Sequence, residues 1–207
     1  MKNHRFLALA LLVLPCHAAD PVFLENDGIL VIEAESTSSK LKKWEKKTSI
    51  EGFTGECHIE FTGNKPESGP ADSPLTYKFK ITKEGTYSLV IRAHKRLESE
   101  RQDISNDCFV ALKGDFESTG KTPIKLLEND TKLFGGTAEG WGWTVRLDDG
   151  HKKFPAEYVL KSGETYELTV SGRSKNFNID RIMFVHQSAN EGKARKDLPA
   201  ESKTEGS

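Results

Sequence analysis

Three carboxylates of this chain occur in a pattern that could hold a divalent cation. Glu33 and Glu35 are two residues apart in an apolar segment, so on a β-strand both side chains point to one side. Two like charges side by side are unfavourable without a cation between them, and calcium takes about six to eight oxygen ligands. Asp180 lies within a second apolar segment, where its charge requires a partner, either the neighbouring Arg181 or a metal. From the residues alone, solvated carboxylates on an edge strand remain the alternative.

Several aromatic side chains are candidates for contacting a ligand, because apolar faces of ligands pack on aromatic rings. Trp141 lies between two glycines that give it little local cover, so we expect it at the surface. Trp143 leads into an apolar strand and is expected in the core, and Phe134 precedes both. Trp44, among several lysines, is either a further platform for a ligand or the anchor of a loop at the edge.

Polar side chains at the ends of the predicted strands are candidates for binding polar groups of a ligand, since their planar groups donate and accept hydrogen bonds in fixed directions. Arg92 ends a strand that leads into a charged loop. Asn106 and Asp107 open the next strand, and Asn176 and Asn178 lie in the last connection of the domain. Arg173, in the same last connection, could instead hold that loop in place.

The elements that must position these residues are predicted to be β-strands. Residues 75–81 alternate strictly between apolar and polar types, which is typical of a half-buried antiparallel strand. The alternation resumes after a turn at 83–85, and a second hairpin is predicted across 160–168. Further strands are predicted at 29–35, 57–62, 108–113, 143–147 and 178–186. Short strands with glycine-rich turns, and no convincing apolar stripe at helical spacing, predict an all-β protein, either a sandwich or a barrel.

The charge balance of the chain excludes some classes of partner. The 207 residues include 30 Lys and Arg against 31 Asp and Glu, a formal net charge of -1. A protein that binds nucleic acid or anionic lipid over a broad surface would show a strong basic excess, so neither partner is expected. The length fits one large domain, or one domain with tails. Residues 187–207 have almost no large apolar side chain and are predicted to be a disordered polar tail.

The first residues have the pattern of a secretory signal peptide, 1–18, which predicts a secreted or periplasmic protein. Two basic residues precede the apolar stretch 6–14, and small residues follow at the predicted cleavage site. This stretch is too short to span a bilayer, which takes about 20 residues, so no transmembrane segment is expected. Cys16 would suit a lipoprotein anchor, but Pro15 stands where lipoprotein processing prefers a small residue, so that anchor is not expected. The folded domain is predicted over 19–186.

Two cysteines remain once Cys16 is removed with the signal peptide. Cys57 and Cys108 each lie in a strand-like segment. In an exported protein they either form a disulfide or are buried free thiols, and both interpretations stay open. Their spacing contains neither a CxxC motif nor a cluster of zinc ligands.

The order of these motifs resembles that of carbohydrate-binding modules of families 6 and 35, which are galactose-binding-like jelly-roll β-sandwiches. The resemblance extends over residues 28–186 and rests on a Glu-Ala-Glu strand followed by the segments 52–55, 85–92, 162–168 and 178–182. It implies that Glu33, Glu35 and Asp180 form a structural calcium site that joins the first and last strands. It also implies a sugar site near the loop ends, where an asparagine of the last connection commonly binds the sugar.

The sequence therefore predicts a secreted, non-catalytic domain that binds a glycan or polysaccharide and contains structural calcium. A cell-surface adhesion domain with a protein partner is one alternative, and a small polysaccharide-active enzyme is another. A glycosidase needs two carboxyl groups at a defined separation, but Asp148 and Asp149 are adjacent in a predicted turn, where their side chains diverge. A lyase site built from Tyr87, Arg92 and His94 is the remaining enzymatic alternative. The oligomeric state is left open.

Overall fold

Strands are the main element of the computed structural model, which describes residues 20–64, 70–101 and 103–207. The strands are β1 (Val22–Leu24), β2 (Ile29–Glu33), β3 (Trp44–Lys47), β4 (His58–Phe61), β5 (Asp72–Lys80), β6 (Gly85–Lys95), β7 (Asp107–Lys113), β8 (Phe116–Ser118), β9 (Thr131–Gly135), β10 (Gly142–Asp149), β11 (Lys152–Pro155), β12 (Glu157–Leu160), β13 (Thr165–Gly172) and β14 (Phe177–His186). Two short helices accompany them, α1 (Ile124–Glu128) and α2 (Glu191–Asp197).

The strands form one continuous sheet that curls until its two halves face each other across a shared core. The main path runs β1-β5-β13-β7-β9-β10-β6-β14-β4-β3, and β2, β8, β11 and β12 pair with strands along it or with each other. Phe79 of β5 packs against Phe184 of β14 with ring centroids 4.7 Å apart, although the two strands are distant along the path. The predicted all-β jelly-roll fold is confirmed.

The alternation predicted for 75–81 is present in β5. Leu75, Tyr77 and Phe79 are buried, and the residues between them are half-buried. Successive side chains of a strand point to opposite faces, so the apolar positions of this strand all face the core.

Neither predicted hairpin forms among the described residues. Across the turn at 83–85, β5 pairs with β1 and β13, whereas β6 pairs with β10, β12 and β14. The hairpin predicted across 160–168 is also wrong. β12 ends and β13 begins within this range, but β12 pairs with β6 and β8, whereas β13 pairs with β5 and β7. The turn between them therefore carries the chain from one half of the curled sheet to the other. Alternation of residue types indicates a strand, but it does not indicate which strand is its partner.

The predicted disordered tail, 187–207, is ordered and packs on the sheet; we call it the C-terminal segment. It contains α2, whose Ala194 packs onto a small apolar cluster outside the main core. The strand residues of this cluster are Val31, Val90, Met183 and Val185. The tail prediction relied on the lack of large apolar side chains, but a short helix can be held by one alanine on an apolar face.

Backbone hydrogen bonds hold the rest of the C-terminal segment against β1 and β2. The N–H of Ser202 donates to the carbonyl of Val31 (2.9 Å), and the N–H of Leu24 donates to the carbonyl of Lys203 (2.8 Å). Such bonds satisfy the backbone of strands that would otherwise face solvent, and they need no apolar side chain. Composition alone therefore could not indicate this contact.

Some predictions concern residues that the structure does not describe or describes only in part. The predicted signal peptide, 1–18, and Cys16 lie outside the described residues. Within 20–64, 70–101 and 103–207, no helix is long and apolar enough to cross a membrane. Cys57 and Cys108 are both buried free thiols, so the structure shows the unbridged alternative.

Candidate functional site

Trp44 belongs to the core and is not a sugar platform. Its side chain is 2% exposed, its ring centroid lies 5.0 Å from that of Phe61, and its indole N–H donates to the carbonyl of Ser73 (2.9 Å). The prediction of Trp44 as a ligand-binding residue is therefore corrected. It anchors β3 at the end of the sheet path, while the lysines on either side, Lys43 and Lys46, are exposed.

The structure brings Glu33, Glu35 and Asp180 together beneath the loop between β3 and β4. The hydroxyl of Thr54 lies 2.8 Å from Glu33 Oε2 and 3.0 Å from Asp180 Oδ2. The N–H of Thr54 donates to Asp180 Oδ1 (2.7 Å). Gly55 lies so close to Glu35 that a Cβ atom at this position would overlap the carboxylate. The three carboxylates form one buried group, which we call the acidic cluster.

Two arginine side chains enter the acidic cluster. Arg181 pairs with Glu33, and Nη1 of Arg92 lies 2.6 Å from Asp180 Oδ2. The side chains of Asp180 and Arg181 are 0% and 2% exposed, so solvent does not screen these pairs. Arg181, one of the two partners considered for Asp180, pairs closely with Glu33, and its Nε also lies 4.0 Å from Asp180 Oδ2. The cation that pairs with Asp180 comes from β6.

One carboxylate of the acidic cluster, that of Glu35, has no cationic partner among the residues that the structure describes. Glu35 Oε1 accepts from two backbone N–H groups of the loop (2.7 and 3.2 Å), whereas its Oε2 is buried with no hydrogen-bond partner among the described residues. Three carboxylates against two guanidinium groups leave one negative charge. Burial and the neighbouring carboxylates raise the pKa of Glu33 to about 7, against the opposing effect of Arg181.

The acidic cluster in this arrangement does not fit a calcium ion, and calcium stays a prediction. Calcium needs several oxygens that are free to face the ion, but Glu33 and Asp180 each direct an oxygen at a guanidinium group. In the described part of the chain, no group of three or more His, Cys, Asp or Glu side chains is arranged to hold a metal.

Trp141 lies half-buried beside the acidic cluster. The guanidinium carbon of Arg92 is 5.4 Å from its ring centroid, and its indole N–H donates to the carbonyl of Glu51 (3.0 Å). The rings of His58 and His94 contact it edge-on, with centroid distances of 5.3 and 5.9 Å. The structure thus brings together two predicted ligand-binding residues, Arg92 and Trp141, but their polar groups are occupied within the chain.

Asn178 is fully buried, so its predicted role as a ligand-binding residue is corrected. Its side-chain N–H donates to the carbonyl of Asn176 (2.8 Å), and it lies opposite His94 in the register of β14 and β6. Beside it, burial lowers the pKa of His58. Asn178 therefore supports the last connection from below, because β14 turns its side chain away from the surface.

A cleft of about 510 Å³ lies where β7 begins and the connection between β13 and β14 passes; we call it the loop-end cleft. Three predicted ligand-binding residues line it, Asn106, Asp107 and Asn176. Asp107 and Asn176 are buried and accept hydrogen bonds from Arg173 and Arg96. Arg173 therefore holds the last connection in place, while the half-buried Asn106 borders open space.

The charged side chains that line the loop-end cleft form oppositely charged pairs. The N···O distances are 2.5 Å for Arg173–Asp107, 2.9 Å for Lys132–Asp148, 2.7 Å for Arg101–Asp103 and 3.3 Å for Lys175–Glu98. These four pairs together carry no net charge. Lys132 was missed at the sequence level, and Asp148 was considered only as a catalytic carboxyl group, because β9 and β10 bring the two to the cleft and no local pattern indicates that approach.

Phe134 is the aromatic residue among the described residues that line the loop-end cleft. It lies opposite Asp107 in the register of β7 and β9 and is half-buried. Nζ of Lys153 lies 4.6 Å from the ring centroid, within the range of a cation–π contact. An aromatic ring beside an amide such as that of Asn106 is a combination that suits a sugar.

The residues of the lyase alternative do not converge. Tyr87 is fully buried, and its hydroxyl donates to the carbonyl of Lys83 (2.6 Å). Arg92 and His94 lie on the other face of β6, against Trp141, because strand residues an odd number apart point to opposite faces.

Comparison with known proteins finds similarity at the level of structure. No family model matches the chain, and no curated protein matches it. A GH26-CBM35 β-(1,4)-mannanase from Podospora anserina is 14% identical, with a TM-score of 0.50, over 80% of this chain and 29% of that one. A family 35 carbohydrate-binding module from an environmental isolate is 12% identical, with a TM-score of 0.47, over 84% of this chain and 98% of that one. The C-terminal CBM6 of a laminarinase from Zobellia galactanivorans is 18% identical, with a TM-score of 0.42, over 76% and 98%.

The chain spans 29% of the mannanase chain and almost the whole length of the two modules. At these identities the similarity concerns the fold alone. Together with the curled all-β sheet, the similarity to the mannanase structure shows that this chain has a jelly-roll fold.

Proposed function

We propose that this domain binds an uncharged glycan in the loop-end cleft and catalyses no reaction on it. The observation that carries the proposal is the combination in one cleft of Phe134, the amide of Asn106 and charged groups that neutralise each other. The cleft volume of about 510 Å³ is in the range of small-ligand sites. The type of fold, that of carbohydrate-binding modules, supports a glycan as the ligand.

The pairing of charges supports an uncharged ligand over an acidic one. Each of the four cations has a carboxylate oxygen within 3.3 Å. A uronic acid or a sulfated sugar would have to displace one of these carboxylates to reach a cation. Sugar hydroxyl groups can both donate to carboxylates and accept from cations, so they can bind while the pairs stay intact.

The same pairing supports binding without catalysis. A glycosidase needs one protonated and one free carboxyl group facing the sugar, but Asp107 and Asp148 are both held by cations. The predicted signal peptide supports a secreted protein, whose ligand would then be an extracellular polysaccharide. Calcium is not part of this proposal, because no residue of the acidic cluster lines the loop-end cleft.

A screen of the full chain against neutral and acidic polysaccharides, followed by calorimetric titration with the best ligand, tests the proposal. We expect neutral polymers to bind. We expect Phe134→Ala to weaken binding about tenfold, because a stacked aromatic contact is lost, and Asn106→Ala about threefold, because one hydrogen bond is lost.

Phe53→Ala is the matched control, since Phe53 is also half-buried but contacts His58 outside the cleft. Its affinity should equal that of the unmodified protein. Selective binding of acidic polymers, or an unchanged affinity in Phe134→Ala, would contradict the proposal. An absence of binding to all polysaccharides would favour the adhesion alternative, and release of sugar products would favour the enzymatic one.

A further inference from the structure

We propose that Arg92 and Arg181 take the place of a divalent cation in the acidic cluster, so that this domain folds and stays folded without calcium. The proposal concerns the stability of the fold and is independent of the glycan site. It rests on the contacts of the two guanidinium groups and on the oxygens that these contacts leave free.

Arg181 makes the connections that a cation in the acidic cluster would make. It pairs with Glu33 of β2, its Nε donates to the hydroxyl of Thr54 (2.8 Å), and its Nη1 donates to the carbonyl of Pro199 (2.7 Å). One side chain of β14 therefore links β2, the loop between β3 and β4, and the C-terminal segment. A planar guanidinium group with five N–H donors suits such convergent oxygens.

Arg92 makes the corresponding connections at Asp180. Its Nη1 lies 2.6 Å from Asp180 Oδ2 and 2.9 Å from the carbonyl of Gly52, and its guanidinium group contacts the ring of Trp141. Carbonyl and carboxylate oxygens of this kind are calcium ligands in other proteins. Here they already face a cation that the chain itself supplies.

Only one carboxylate oxygen of the acidic cluster is left for another ligand. This is Oε2 of Glu35, which is buried without a hydrogen-bond partner among the described residues. A single free oxygen is far fewer than the about six to eight oxygen ligands that calcium requires. A cationic side chain occupies the acidic cluster at any calcium concentration, whereas a bound calcium ion occupies it only when enough free calcium is present. Stability that depends on the arginines is therefore independent of calcium.

Metal analysis and thermal unfolding of the full chain test the proposal directly. We expect the purified protein to contain no stoichiometric calcium, and its melting temperature to be the same in EDTA and in excess calcium chloride. One calcium ion per chain, or a melting temperature that EDTA lowers and calcium restores, would overturn the proposal.

Substitution of each arginine provides a second readout. We expect Arg92→Gln and Arg181→Gln each to lower the melting temperature by about 10 °C, because each leaves a buried carboxylate without its cation. We also expect calcium to raise the melting temperature of these variants, because the freed oxygens then face a vacant position. Calcium should leave the melting temperature of the unmodified chain unchanged.

Arg146→Gln is the matched control, because Arg146 is exposed and forms no ion pair with any described residue. Its melting temperature should not change. If both cluster variants melt like this control, the proposal is overturned. If a variant does not fold without calcium, the loss of stability is in the expected direction. The calcium content of the unmodified chain then decides whether the arginines or a bound calcium ion compensate the carboxylates.

Discussion

The acidic cluster and the loop-end cleft are both built from carboxylates and cations, but the cleft contains exposed pairs besides buried ones such as Arg173–Asp107. Asp180 and Arg181 are 0% and 2% exposed, whereas Glu98 and Lys175 at the cleft are 53% and 50% exposed. Breaking a buried pair costs about 3–5 kcal/mol, while an exposed pair contributes about 0–1 kcal/mol. The same chemistry therefore holds the fold together in one region, and in the other it leaves groups that a ligand can approach at small cost.

The largest expected effect comes from removing a charge in the acidic cluster. Asp180→Asn should lower the free energy of unfolding by about 3–5 kcal/mol, because Arg92 then loses its buried counter-ion. Urea denaturation measures this value. Asp103→Asn at the cleft is the matched control and should change it by less than about 1 kcal/mol, since its pair with Arg101 is exposed. Equal losses in the two variants would remove the distinction between the regions.

A second prediction concerns the pH dependence of the acidic cluster. The pKa of Glu33 is raised from 4.5 to about 7, so between these values the folded chain binds more protons than the unfolded chain. Stability from this group is therefore fully present below about pH 4.5 and is lost as the pH rises to about 7, by up to about 3 kcal/mol. The lowered pKa of His58 acts in the opposite direction, because the unfolded chain takes up that proton first.

Urea denaturation of the unmodified chain and of Glu33→Gln at about pH 5 and about pH 7 separates these contributions. His58 titrates in both proteins, so its effect cancels in the comparison. The unmodified chain should lose stability relative to Glu33→Gln as the pH rises. A constant difference between the two proteins across this interval would show that Glu33 does not titrate there.

The smallest expected effect comes from an exposed pair at the loop-end cleft. Lys175→Ala should lower the free energy of unfolding by less than about 1 kcal/mol, and high salt should reduce the difference further by screening the contact with Glu98. Chemical denaturation at low and high salt measures both values. A loss above about 2 kcal/mol, or one that salt leaves unchanged, would mean that this pair acts like a buried one.

Local patterns predicted the carboxylates of the acidic cluster but not their partners. Glu33 and Glu35 could be recognised because residues two apart on a strand share a side, and Asp180 because a charge in an apolar strand needs compensation. Arg92, which supplies that compensation, is 88 residues away from Asp180 in the chain. Nothing local indicates the pairing of β6 with β14 that brings the two together.

The burial of individual side chains could not be predicted from local sequence patterns either. Trp44 stands among lysines and is buried, whereas Trp141 stands between glycines and is half-buried. In both cases, packing from distant strands and loops decides the outcome. The loop-end cleft shows the same limit. Asn106 and Asp107 were recognised at a strand end and Phe134 as an aromatic candidate, but nothing local indicated that β9 brings Phe134 and Lys132 beside them.

The two ends of the sheet path have a consequence for how copies of this protein meet. A strand at the end of a sheet offers unpaired N–H and carbonyl groups to a second chain and so invites edge-to-edge aggregation. At β3, exposed lysines next to the anchored Trp44 repel an identical edge. At β1, the C-terminal segment occupies the backbone groups, with Phe23 bridged to Thr204. Charge therefore protects one end of the sheet path, and a covering segment protects the other.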